Sequence, residues 1–304
     1  MATVADLINR IERDFLFPVG AKPATGRLAA TITNSATTVT YSSTYWTQEE
    51  LNGIGTGVLI EINSELFRVI THDQDTRTIT VATRGTVEGT DAAAHTAGDE
   101  IYLGKIPTRI AIYEAVSDAV VDLFPDFFSV TTGAYTSSDN YIEVPLVCED
   151  VLQYIYKVTE SDTSSTRYIP GRVELLEGFT PSSTTKAIQL HGVPSGRTGY
   201  LRYISSFSRP TAETYDLGTN GVTVEWHQLL ILDALITLVA ATDLDDARVS
   251  YLTDTLRSQV NPTGEGESVS RMLIRLYEYR RQRAMRRMNA NHAMTVEMNQ
   301  IAGP

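Results

Sequence analysis

Along the chain the hydrophobic positions change their period several times. Val4, Leu7, Ile8, Ile11 and Phe15 recur at three- and four-residue spacing, with Thr3 placed to cap and Pro18 to stop, which predicts a short amphipathic helix. From Gly26 to Leu103 the period falls to two. Strands are expected at Thr38–Tyr41, Gly57–Ile62, Leu66–Ile70, Thr78–Val81 and Glu100–Leu103, with hairpin-like breaks at Asn63-Ser64 and Asp73–Thr76. So short a set of strands leaves exposed edges unless it closes or packs on a neighbour. Helical spacing returns at Tyr113, Val116, Val120, Leu123 and Phe127, with Pro107 suited to the first turn and Pro125 bending the end. A second extended region runs from Asn140 to Ser208, through Tyr141–Val144, Val151–Thr159, Arg167–Ile169, Ala187–His191 and Tyr200–Ser205, with loops at Pro181–Thr185 and Pro194–Gly196. Val224–Ala241 and Ala247–Val260 then read as helices, 262–266 as a linker, and a last helix starts near Ser268.

The expected class is therefore α+β: a helical core interrupted by two β units, the first small and barrel-like, the second an antiparallel sheet, with an extended C-terminal helix. The segments are 1–20 (core helix), 21–104 (first β unit), 105–135 (core helix), 136–210 (second β unit), 211–262 (core helices) and 263–304 (basic C-terminal segment). Strands and helices do not alternate regularly, which disfavours a doubly wound parallel sheet, and no repeat period is visible.

The 304 residues are enough for several cores, and 42% hydrophobic with 20% charged residues is ordinary globular composition. Val224–Ala241 is the most hydrophobic stretch but carries Glu225, His227, Gln228 and Asp233, so it reads as a buried helix and no membrane partner is expected. Met1–Phe17 mixes charges with its hydrophobes and does not resemble a secretory signal. Cys148 is the single cysteine and reads as a small buried apolar residue.

Charge changes the picture most. The chain has a formal net charge of −12, yet Arg271, Arg275, Arg280, Arg281, Arg283, Arg286 and Arg287 fall within seventeen residues against one acid, Glu278. Without that stretch the remainder stands at −18. Such a segment seeks an anionic surface, and arginine in preference to lysine suits bidentate carboxylate or phosphate contacts. Met272, Leu273, Leu276, Tyr277 and Tyr279 give the same helix an apolar side, and Met285 and Met288 add flexible thioethers of the kind that fill a partner's groove.

Candidate chemistry is sparse. His72-Asp73-Gln74-Asp75 lies between two expected strands, where a solvated turn is the better reading than a metal or acid–base site. The remaining histidines are scattered. Gly53, Gly55 and Gly57 precede a strand rather than a helix, unlike a phosphate loop, and Glu143, Glu149 and Asp150 do not define a carboxylate pair. No catalytic constellation, metal set or cofactor motif is apparent, and a non-enzymatic role is expected. Trp46 with Tyr41 and Tyr45 forms an aromatic cluster that either packs at a sheet rim or stacks on a sugar or base.

Two stretches carry a resemblance. Residues 57–69 together with 83–102, in which Arg84-Gly85, Gly89-Thr90, Ala92-x-x-His95 and Gly98 precede a closing strand, resemble a small β module of structural proteins of tailed bacteriophages. Tyr203–Pro210 followed by Trp226–Ile236 is similar to the strand-to-helix passage of phage head–tail adaptors. Together they cover about half the chain. The resemblance implies a structural protein of the virion, assembled in the host bacterial cytoplasm. It would form a ring homo-oligomer, a dodecamer by expectation, beneath the portal protein at the head–tail junction. There it would lend its C-terminal segment to the portal, meet tail, stopper or terminator proteins, and extend the channel through which genomic DNA passes. The arginines would face portal or DNA. A carbohydrate- or surface-binding virion or baseplate module using the first β unit is the alternative, and DNA binding by the basic segment alone is a third.

Overall fold

A computed structural model describes residues 2–16, 25–42, 45–87, 90–104, 107–137, 141–159, 166–176, 181–241 and 269–301. Pro18, the expected helix at 247–260 and the linker at 262–266 lie outside them.

Helix α1 (Val4–Ile11) begins at Thr3, whose hydroxyl accepts from the Asp6 N–H while the Asp6 carboxylate accepts from the Thr3 N–H. It runs into a π turn at Glu12–Leu16, and Val4, Leu7, Ile8, Ile11 and Phe15 are all buried. The first sheet comprises β1 (Thr25–Arg27), β2 (Thr38–Thr40), β3 (Leu59–Ile62), β4 (Glu65–Asp73), β5 (Thr78–Val81) and β6 (Glu100–Leu103), in the order β1-β6-β3-β4-β5-β2. Its two outer strands approach each other: the Ala29 N–H donates to the Thr40 carbonyl at 2.7 Å and the Ser42 N–H to the Arg27 carbonyl at 2.8 Å. The sheet thus curls around Ile60, Ile62, Phe67, Val69, Ile79 and Ile101. A short helix α2 (Gln48–Asn52) and strand β1 were not evident in the period-two pattern. The turns at Asn63 and Arg77 require positive φ (both 55°).

Helix α3 (Arg109–Asp122) is capped by Thr108, so Pro107 lies before the cap and not in the first turn. The second sheet holds β7 (Ser129–Thr136), β8 (Tyr141–Pro145), β9 (Cys148–Thr159), β10 (Thr166–Leu176), β11 (Thr185–His191) and β12 (Thr198–Ser205), all antiparallel, in the order β7-β12-β9-β10-β11-β8. It begins at Ser129, inside the stretch expected to be helix. Its outer strands β7 and β8 are sequence neighbours separated by four residues, so this sheet also curls back toward itself. Ile142, Val144, Tyr154, Ile188, Leu190, Leu201 and Tyr203 fill its interior.

After a 3₁₀ turn (Val224–Trp226) come α4 (His227–Ala241) and α5 (Val269–Ile301). One apolar cluster joins α1, α3, α4 and the first turns of α5, with Phe127, Phe207 and Trp226 at its edge. Val224–Ala241 is long and apolar enough to cross a membrane, but half of it is buried in this cluster. Helix α4 is apolar on nearly every side, as a helix with neighbours on several faces must be.

Candidate functional site

The arginine-rich segment is a single helix whose two ends differ. At its start, Val269, Met272, Leu273 and Leu276 are buried against α4 in the chain's own core. The expectation that Met272, Leu273 and Leu276 form a partner-docking face is therefore corrected. Helix α4 leaves an apolar face uncovered by α1 and α3, and burying three such side chains there is worth roughly 1.5–3 kcal/mol each. Tyr277, Met285 and Met288 are half-buried and pack on the margin of the same cluster. Tyr279 stands 65% exposed and Ile274 48% exposed.

The arginines differ in their surroundings along the whole helix. Arg281 holds α5 to the end of α3: its Nε donates to Asp126 at 2.5 Å and its Nη1 to Glu278 at 3.3 Å. The Asp126 hydrogen bond raises the Arg281 guanidinium pKa further, outweighing its slight desolvation. Arg287 lies 3.7 Å from Glu225 of the 3₁₀ turn. Arg280 is half-buried. Arg271, Arg275, Arg283 and Arg286 are exposed, on a helix that continues about 20 Å past Met288 at 1.5 Å per residue. A shallow cavity of about 250 Å³ lies among Glu225, Gln228, Tyr279, Arg280, Arg283 and Arg287. It mixes cations with a carboxylate and an aromatic ring, a composition suited to charged side chains of another protein more than to a small apolar ligand. A second cavity of about 500 Å³ separates α5 from the second sheet, between Val130, Arg202, Trp226, Ala284 and Met288.

Beneath this surface sits an acidic group. Burial, and then the charge of Asp122, push the Asp233 carboxyl up to about 6; burial, and then Asp233, push the Tyr277 phenol up to about 12.

The Arg-Gly, Ala-x-x-His stretch of the first β unit forms a buried cluster around an ion pair. Glu65 and Arg84 are each 2% exposed in their side chains, and the guanidinium grips the carboxylate through Nε–H at 2.9 Å and Nη2–H at 2.7 Å. Arg84 also donates to the carbonyls of Thr33 and Ala93 and lies 4.8 Å over the Phe67 ring. The Ala93 N–H (3.0 Å) and the His95 Nε2–H (2.9 Å) reach the same carboxylate, while His95 Nδ1 accepts from the Asn63 amide at 3.1 Å. Burial alone would raise the Glu65 pKa, but these donors and the Arg84 charge hold it below the usual range. Gly85 and Gly98 sit at φ +72° and +95°, and Thr90 accepts from the Leu66 N–H while donating to the Val87 carbonyl. These residues hold a loop against the sheet; Asn63 and Gly98 also line a polar cavity of about 580 Å³ shared with Arg27, Glu100, Arg109 and Glu213.

The aromatic cluster divides similarly. Tyr41 (2% exposed) and Trp46 (6%) are core residues, and Tyr41 donates to or accepts from His72 Nε2 at 2.8 Å. That leaves Tyr45 as the exposed ring, with Arg27 over its face. Stacking of a sugar on Trp46 and Tyr41 is not possible in this arrangement. His72 and Asp73 end β4, paired with Ile79 and Thr78, so only Gln74 and Asp75 of the expected turn group lie in the turn, whose Asp75 and Thr76 N–H groups donate to the Asp73 carboxylate. Cys148 is buried, and burial pushes its thiol up to about 11, an inert state. No protein-family model matches the chain, and no curated protein matches it in sequence.

Proposed function

We propose that this chain is a non-enzymatic head–tail adaptor of a tailed phage. In this reading the helices form a scaffold, the first β unit is a small barrel-like module, and copies of the chain form a ring, a dodecamer by expectation, between portal and tail. The observation that carries the proposal is the division of α5. Four apolar side chains root it in its own core, while Arg271, Arg275, Arg283 and Arg286 face solvent in a chain of net charge −12. A rooted cationic helix extending beyond its own body is suited to docking on an acidic surface of another protein, here the portal. The rest of the chain, acidic, would let genomic DNA pass along the channel without sticking, since like charge keeps nonspecific binding weak. Tail, stopper or terminator proteins would meet the opposite side of the ring. The proposal places the chain in the virion, after assembly in the host cytoplasm, with no membrane and no cofactor involved.

The test is limited proteolysis with trypsin, in the presence and absence of the purified portal. Docking predicts that cleavage after Arg283, Arg286 and Arg287 slows at least several-fold with portal and that the protection is lost in high salt. Equal cleavage under both conditions would overturn the assignment.

A further inference from the structure

The outer face of the second sheet departs from what a solvated antiparallel face should show. Leu201, Tyr203 and Tyr154 point inward and are buried, so Tyr200, Arg202 and Ile155 point outward by the two-residue period. The register pairs Tyr200 with Ala134 on one side and Ile155 on the other, and Ile155 in turn with Pro170. An apolar row thus crosses four adjacent strands on the outside, with Tyr200 itself 53% exposed. Two residues away along their strands, on the same face, stand Arg172 and Lys157, both exposed, while Arg202 lines the cavity toward α5. An exposed tyrosine on an apolar row, rimmed by cations, has the composition of an interface centre and not of a solvated sheet.

The same chain carries a complementary surface. Its first β unit, residues 25–104, has four basic and ten acidic residues, net −6. Gln48 at the start of α2 hydrogen-bonds Gln74 at the β4–β5 turn at 2.8 Å, and Gln74 donates to Asn52 at 3.1 Å. Those bonds bring the exposed carboxylates of Glu49 in α2, Asp73 at the end of β4 and Asp75 in the following turn to one end of the unit, where β4 also bears Ile70, 45% exposed. We infer that the Tyr200 face of the second β unit seats this acidic end of the first β unit of a second copy of the chain. The contact is heterologous, so repetition generates a ring when the rotation closes. It rests on the adaptor reading only for the closure of that ring; the contact itself is carried by the two surfaces.

Sedimentation velocity over a concentration series, at low and high salt, tests it. The wild-type chain should self-associate at low salt and dissociate as salt rises. Tyr200→Ala should weaken association about thirty-fold or more, as loss of a central tyrosine does. Arg172→Glu should weaken it as well, and mixing Arg172→Glu with a chain carrying Asp73→Arg and Asp75→Arg should restore hetero-association that neither shows alone. All four positions are exposed, and circular dichroism checks that each variant is folded. A wild-type chain that stays monomeric at low salt, or an undiminished association in Tyr200→Ala and Arg172→Glu, overturns the inference. A chain carrying Arg283→Glu and Arg286→Glu serves as the other arm. Portal protection lost there while self-association persists separates the failure of one reading from the failure of the other.

Discussion

Replacing Arg84 by methionine isolates the energetic centre of the first β unit. The substitution preserves much of the side-chain volume over Phe67 but removes both N–H groups that hold the Glu65 carboxylate, whose side chain is 2% exposed. Glu65 then keeps only the Ala93 N–H and His95, and the carbonyls of Thr33 and Ala93 lose their side-chain donor. Breaking a buried pair from one side typically costs about 3–5 kcal/mol, because the remaining charge is left in a poor solvent. At about 4–8 °C per kcal/mol for a unit of this size, the transition of that unit should fall by about 12 °C or more. Differential scanning calorimetry, with proteolysis reporting cleavage between β3 and β6, reads the effect. The double variant Glu65→Leu, Arg84→Met should recover much of the loss, since apolar replacement of a whole buried pair is often close to neutral. A loss under about 1 kcal/mol for Arg84→Met, or a double variant as unstable as the single, would refute the reasoning.

Three further outcomes follow. Arg109 binds the Glu213 carboxylate through Nε (2.9 Å) and Nη2 (2.7 Å) and reaches Asn9 and Glu12, while its backbone N–H donates to Glu61 of β3 at 2.8 Å; Arg109→Ala should cost about 2–3 kcal/mol by chemical denaturation, and a cost near zero would contradict that role. Gly26 has the Trp46 ring 2.6 Å from where a Cβ would stand, so Gly26→Ala should destabilise the first β unit by about 1–3 kcal/mol, read as a Tm shift. Asp233 has a folded pKa of about 6 against an ordinary 3.8, so its protonated form is favoured by folding and its contribution is lost as pH rises through 6. Asp233→Asn should therefore stabilise the chain at pH 8 by about 1 kcal/mol after allowance for partial exposure, with the gain gone by pH 4; a gain equal at both values would contradict it.

Much of the architecture was legible because it rests on period. The stripe of α1, the Thr3 cap, the hairpin turns and the apolar run of α4 are local features, and each lies where its pattern placed it. Short or edge elements were not. The five residues of α2 bury no side chain, so they have no periodic stripe, although the Thr47–Glu50 capping box was a readable signal. Strand β7 follows the apolar Phe127 with small and β-branched residues and was absorbed into the preceding helix. The apolar side of α5 was visible, but not its owner: Met272 and Leu273 cover α4, and a stripe does not say whether its cover lies in the same chain. The helix around which the remaining apolar faces had to close was nonetheless a clue, since α4 is too apolar all round to be covered from one side. The Arg84, Glu65 and His95 cluster was invisible as a cluster because it joins residues up to thirty positions apart, though its Arg-Gly, Ala-x-x-His and Gly spacing was the part that resembled a phage module. The aromatic cluster was misleading in its chemistry, since proximity in sequence does not distinguish a ring in a core from a ring at a surface.

Electron microscopy of purified tailed-phage particles that contain this chain, with the chain carrying a fused density label, tests the central claim most directly. The adaptor reading predicts label in a closed ring directly beneath the portal, with α5 reaching up into portal density. Label on a tail fibre, baseplate or capsid face, with none at the head–tail junction, would contradict it.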